Sequence, residues 1–167
     1  MTRYGAVDAH YPDEGGARAA LVVATDPRFA TLVEERVADI DAVPAYRPGF
    51  FFERELPAIR AVLATTEPVD VLLVDGYVDL DPDGRPGLGA RVHEETNRPV
   101  VGVAKTAFRA ATHAVPVVRG SGDRPLYVTA AGLPVEEAAA LVSGLAGAHR
   151  IPAALRRVDR LARSLPG

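Results

Sequence analysis

Three carboxylates and one lysine occupy positions that packing alone does not explain. Asp8 lies within the apolar run RYGAVDAHY, residues 3–11, and Asp75 closes another, VDVLLVDG, at 69–76. A carboxylate taken into a strand loses hydration, so each position calls for a compensating partner. Asx residues at strand ends also start turns, a reading that suits Asp75 taken alone but not Asp8 in mid-strand. Lys105, in VVGVAKTAF at 100–108, is the only lysine, although Lys and Arg together number 19. A lone lysine is by default a solvated surface residue. Its compact ammonium nevertheless suits a site that needs a point charge beside an oxyanion, where the planar fork of arginine does not. If the strands of Asp8 and Asp75 are neighbours, their carboxylates converge on one edge. Glu55, near a helix start, then completes an oxygen-rich site for Mg²⁺, with Mn²⁺ as a substitute. Convergent carboxylates of this kind suit metal-assisted cleavage of a phosphodiester, with Lys105 neutralising charge on the phosphate.

The elements that must position these groups follow from periodicity and turn signals. Residues 3–11 and 17–25 read as strands joined across PDEGG, a hairpin. TLVEERVADIDA, 31–42, reads as a third strand in preference to a short helix. Pro44, Pro48 and Gly49 mark a loop, after which FFFERELPAIRAVLATT has helical spacing that tolerates Pro57 only in its first turn. VDVLLVDG and RPVVGVAK, 98–105, read as strands buried on both faces. PGLGARVHEET between them predicts a crossover helix, hence a βαβ unit with parallel strands. VPVVRG and RPLYVTA form a hairpin around GSGD. PVEEAAALVSGLAGAH, 134–149, is a helix beginning at Pro134, and RIPAALRRVDRLARSL is a basic closing helix. The fold class is α/β, a mixed central β-sheet with flanking helices.

Composition narrows the classes. At 167 residues, 48% apolar and 25% charged, residues 1–167 are expected to form a single domain. The absence of cysteine excludes disulfides and thiolate chemistry and fits a cytoplasmic location. No apolar run is long enough to span a bilayer and no cationic leader is visible, so neither membrane insertion nor export is expected. A net charge of −3 argues against a broadly basic nucleic-acid binder while leaving room for recognition through a positive cleft. Ser-His-Asp order and phosphate-loop context are both missing, and GSGD reads as a turn.

Five segments, taken in order, carry a resemblance: GAVDAHYPDEGGARAALVV, AYRPGFFFERELPAI, DVLLVDGYVDLDP, PVVGVAKTAF and PLYVTAAGLPVEEAAALV. Their sequence and spacing resemble those of endonuclease V, the deoxyinosine-directed nuclease family with a ribonuclease H-like fold, over nearly the whole chain. The resemblance implies a DNA repair endonuclease that cleaves 3′ to deoxyinosine, at the second bond, by Mg-assisted hydrolysis, and acts as a monomer. It assigns Asp8, Glu55 and Asp75 to the metal and Lys105 to the reacting phosphate. It places a strand-separating wedge at Tyr46-Arg47-Pro48-Gly49, with Ala45 where a proline is usual, and has Gly49 and Gly76 line the pocket for the extruded base. A ring inserted at the lesion replaces stacking lost when a base leaves the duplex. Tyr46 alternatively closes the core as a rim residue.

The pattern also departs from the family. Asp75-Gly76 is followed by Tyr77 and Val78 where the family reads Gln-Gly, and Leu80-Asp81-Pro82 replaces Ala-His-Pro. Val78 then adds volume near the base, and Asp81 exchanges a histidine for an acceptor of opposite charge. Thr129-Ala130-Ala131-Gly132 replaces Ser-Pro-Gly-His, removing a histidine near the site. His10, two residues beyond Asp8, shares its side of the strand and offers partial compensation; a lone strand histidine more often serves packing. His93, His113 and His149 lack metal-ligand spacing. The chain begins near its first strand and stops soon after its last helix, which predicts a reduced DNA-binding face. RRVDRLAR is either a phosphate-binding row or, more commonly, a solvated helix face. Two rivals follow: an inosine-specific ribonuclease, and a catalytically impaired nucleic-acid-binding protein of the same fold. A protein acting through protein partners is a third.

Overall fold

Every residue of the segment Ala17–Ala24 is buried, as a strand covered on both faces requires. The computed structural model describes residues 1–12, 15–41, 48 and 52–164. The chain runs β1 (Tyr4–His10), β2 (Ala17–Ala24), β3 (Leu32–Ile40), α1 (Phe52–Leu63), β4 (Val71–Asp75), α2 (Leu88–Thr96), β5 (Val100–Ala104), β6 (Val115–Val117), β7 (Leu126–Ala131), α3 (Val135–Ser143) and α4 (Ala153–Arg163). The strands make one seven-stranded sheet in the order β3-β2-β1-β4-β5-β7-β6. β1, β4 and β5 are parallel, and the pairs at both edges are antiparallel. The expected mixed sheet and βαβ unit are both present, and residues 31–42 supply the strand β3.

Side-chain alternation along the strands assigns the two faces. Val7, Leu21, Leu72 and Val74 point into a cluster with Ala58, Ile59 and Val62 of α1 and with Leu88 and Val92 of α2. Ala6, Val22, Leu73 and Val101 point the other way, against Ala138 and Val142 of α3 and against Leu155, Val158 and Ala162 of α4. Helices on both faces bury the sheet centre and leave the ends of its parallel strands open. Among the described residues no helix is long and apolar enough to cross a membrane.

Two helices differ from the sequence reading. Pro57 lies inside α1, beyond its first turn. There it withdraws one backbone donor, and the fully buried Ala58 and Val62 hold the helix on the sheet regardless. The segment 134–149 is helical only to Ser143. Leu145 turns into the core at 3% exposure, and Gly147 adopts φ +114°. The carbonyls freed by this early end are taken by the buried Arg119, which donates to Gly147 O at 3.0 Å, to His149 O at 2.9 Å and also to Leu145 O.

Gly102 is the tightest point beneath the open strand ends. A Cβ there would stand 2.6 Å from both Gly76 O and Thr129 Oγ1. That same hydroxyl accepts the Val78 N–H at 2.8 Å, so β5 and β7 together set the turn that follows Asp75. Gly102→Ala is expected to cost about 1–3 kcal/mol through overpacking. The measurement is a urea titration: a lower midpoint at unchanged slope is the expected outcome, and an unchanged midpoint would show that the turn yields freely.

Candidate active site

Parallel pairing brings the two strand carboxylates together. Val7 is level with Val74 in the β1–β4 ladder, so the next residues, Asp8 and Asp75, stand side by side at its end. β5 continues the row: Val103 is level with Asp75, and Lys105 emerges one residue past Ala104. The Lys105 ammonium lies 3.5 Å from Asp75 Oδ2. Glu55, from the start of α1, reaches the same place. A pocket of about 150 Å³ is lined by Asp8, Glu55, Asp75, Lys105, Asp159 and Arg163, among others. All four residues assigned from sequence as catalytic therefore share one pocket.

Asp159 and Arg163 of α4 are the residues that sequence reasoning missed. Their signal was present: Asp159 is the one acid within RRVDRLAR. Nothing in the helix pattern says which way it points. Docking of α4 over β1 and β2 turns it into the pocket, where Arg163 Nε donates to its carboxylate at 3.0 Å.

Negative charge is concentrated here beyond what the pocket tolerates. Burial, then the neighbouring Asp75 and Asp159 carboxylates, push Asp8 from 3.8 to about 7, against the opposing Ala9 N–H, which donates to Asp8 Oδ1 at 2.9 Å. Asp8 thus keeps its proton near neutrality and shares a hydrogen bond with Asp159. Asp159 is half-buried, and its partial desolvation opposes ionisation, yet Arg163 and the Asp8 contact hold it below the ordinary value.

This donor set suits a hard divalent cation. It offers carboxylate oxygens without a thiolate or an imidazole, and its repulsion is strong enough to retain a proton that a cation would replace. Among the described residues no three acidic or histidine side chains form a ready-made metal cage. Mg²⁺ commonly keeps several of its own waters and takes only one or two carboxylates directly.

The remaining sequence assignments divide. Gly76 has φ +123° and open space where a side chain would project, which leaves room beside Asp75. Pro48 is an exposed turn residue; Tyr46 and Gly49 lie outside the described residues. Val78 does not fill the space beside Gly76. It is buried at 1% exposure and packs on Gly89 of α2. Asp81 accepts the Asp83 and Arg85 N–H groups at 3.0 and 3.1 Å, a turn-forming role. His10 lines a neighbouring cleft with Arg18 and Arg163 rather than the acid pocket. Tyr77, singled out only as a departure, ties the two loops flanking the site. Its hydroxyl donates to Thr106 O at 2.8 Å and accepts the Phe108 N–H at 3.0 Å.

Two acids at the ends of parallel central strands, a third at the start of α1, a fourth on the last helix and a mixed sheet covered on both faces define a nuclease of the ribonuclease H-like class. A family model described as Endonuclease V matches residues 1–160. Endonuclease V of Thermococcus kodakarensis is 34% identical over 159 residues, covering 95% of this chain and 77% of that protein. The Streptomyces coelicolor protein of the same name is 31% identical over 184 residues, covering 97% and 78%. Among solved structures, Streptomyces avermitilis endonuclease V superposes with a TM-score of 0.82 at 29% identity, covering 98% of this chain and 80% of that one. Human ENDOV superposes at 0.77 with 26% identity, covering 98% and 83%. The chain belongs to the endonuclease V family, whose members are metal-dependent nucleases.

The protonated Asp8 has a thermodynamic consequence. Between about pH 4 and 7 the folded chain holds a proton that the unfolded chain has released, so this contribution to stability is present at low pH and is lost as pH rises through about 7. In EDTA, Asp8→Asn is expected to raise the melting temperature at pH 8, with the gain shrinking toward pH 4. Thermal melts across that range are the check; a loss of stability at pH 8 would show that the carboxylate is well compensated.

Proposed function

We propose that this protein is a cytoplasmic, monomeric DNA repair endonuclease that cleaves a phosphodiester 3′ to deoxyinosine, at the second bond, with Mg²⁺ or Mn²⁺. One observation carries the reading: four carboxylates and a lysine line one pocket at the strand ends of an endonuclease V family chain. A structural neighbour adds support. Ciona intestinalis endonuclease V, 20% identical with a TM-score of 0.75, was crystallised with DNA containing an inosine followed by a ribo-adenosine.

In this reading Asp8, Glu55 and Asp75 hold the ion, with Asp159 beside them. A divalent cation supplies a Lewis acid that makes hydroxide available at neutral pH and stabilises charge on the leaving oxygen. Lys105, held next to Asp75, meets the scissile phosphate and neutralises charge that grows in the transition state. Arg163 keeps Asp159 ionised. Tyr46, with Pro48, opens the duplex at the lesion and fills the vacated stack. Gly49 and Gly76, lacking side chains, let the extruded base approach the backbone.

The test is cleavage of end-labelled duplexes with and without one deoxyinosine, beside an inosine-containing RNA, in Mg²⁺ or Mn²⁺. A nick specific to the deoxyinosine duplex, absent in Asp75→Ala, is expected. Preference for the RNA would move the substrate to inosine in RNA, and no cleavage by folded protein would leave a binding protein of this fold. Lys105→Ala is expected to lose on the order of 10²–10³-fold in cleavage while binding changes only a few-fold. Equal losses would place Lys105 in substrate positioning.

A further inference from the structure

The acid pocket adjoins a second, wider depression. A groove of about 620 Å³ runs along α4 and includes Lys105, Arg150, Arg156, Asp159, Arg160 and Arg163. Three of these residues, Lys105, Asp159 and Arg163, also line the acid pocket, so the two spaces adjoin. Lys105 and four arginines face a single carboxylate there, in a chain whose net charge is −3. The concentration is local and opposes the overall balance.

The arginines of α4 fall into two kinds. Arg157 pairs with Glu35 of β3 at 2.5 Å and Arg163 with Asp159 at 3.0 Å. Arg156 and Arg160 are exposed, and among the described residues neither guanidinium has a carboxylate or hydrogen-bond partner. They stand four apart on one helix face, where like charges oppose helix formation. The arrangement therefore works against α4 and is not offset by any contact within the fold. The helix carrying them is fixed at both ends. Arg18 donates to Ser164 O at 2.5 Å and to its hydroxyl at 3.1 Å. At the other end Arg150 donates to Pro125 O at 3.0 Å and to Lys105 O. The helix backbone that carries the charged row is thus held beside Lys105.

We propose that Arg156 and Arg160, continued by Arg163 and Lys105, form the track on which the phosphodiester backbone of the substrate strand lies as it leaves the catalytic pocket. The occupant follows from charge and adjacency. A polyanion whose reacting phosphate sits at Lys105 must pass out of the pocket, and this groove is a cationic path adjoining it. Guanidinium groups free of internal partners are available to displace the counterions of successive phosphates. This inference rests on the nuclease reading above and adds the route taken by the strand.

The test is the salt dependence of binding to a fluorescein-labelled duplex carrying one deoxyinosine, read by anisotropy in EDTA so that binding is separated from cleavage. Relative to the wild type, Arg156→Gln with Arg160→Gln is expected to flatten log K against log salt by about 0.9 per arginine lost. Arg156→Lys with Arg160→Lys is expected to restore most of the slope. Arg60→Gln with Arg98→Gln makes the same change in net charge at positions paired with Glu95 and Asp70 and is expected to leave the slope unchanged. Thermal melts verify that each variant is folded. A Gln variant with the wild-type slope, or an equal flattening in the Arg60/Arg98 variant, would overturn the track while leaving the nuclease reading intact. A wild type with no salt-dependent affinity for the duplex would overturn both.

Discussion

Asp8 and Asp75 become neighbours because β1 and β4 run parallel with Val7 level with Val74, and two carboxylates so placed, partly removed from water, repel each other. Much of the surrounding structure answers that repulsion. Asp8 retains a proton, Lys105 leans toward Asp75, and α4 contributes Asp159 together with its own counter-charge, Arg163. Carboxylates gathered this closely form a donor set whose chemistry suits a hard divalent cation. This crowding of acids occurs in a chain of the endonuclease V family, whose members are metal-dependent nucleases.

Holding such a site open takes rigid neighbours. Gly102 lets Gly76, Val78 and Thr129 close on β5, Tyr77 ties the turn after Asp75 to the loop after Lys105, and Arg150 fixes the backbone of Lys105 from across the groove. Arg119 does similar service for the connection between α3 and α4, spending its donors on backbone carbonyls rather than on an acid. Burial lowers its affinity for its proton, yet the carbonyl dipoles keep the charge where it is needed. These contacts preorganise the pocket from below and from the side.

Much of the architecture was legible in the sequence because its signals are local. Apolar runs ending in Asp-Gly and in Ala-Lys mark β4 and β5, the intervening helical spacing makes them parallel, and Asp8 within an apolar strand flags itself as a buried charge. The places where the reading failed are those that local signals do not control. Helix α3 ends at Ser143 because Leu145 finds the core and Arg119 collects the freed carbonyls, a partner from 26 residues away. Val78, expected beside the base, goes into the core because Gly89 leaves room for it.

By itself, then, the sequence determined the element order, the parallel central unit, and the residue types able to hold a metal and meet a phosphate, since hydrophobic period and turn chemistry act within a few residues. Only the tertiary structure decided which charges face one another. RRVDRLAR reads the same whether it is a solvated stripe or part of a site; the packing of Leu155, Val158 and Ala162 on the sheet rotates the helix so that Asp159 enters the acid pocket and Arg156 and Arg160 border its exit. Electrostatic coupling depends on distances through space between groups remote in the chain, and those distances exist only once the helix has docked.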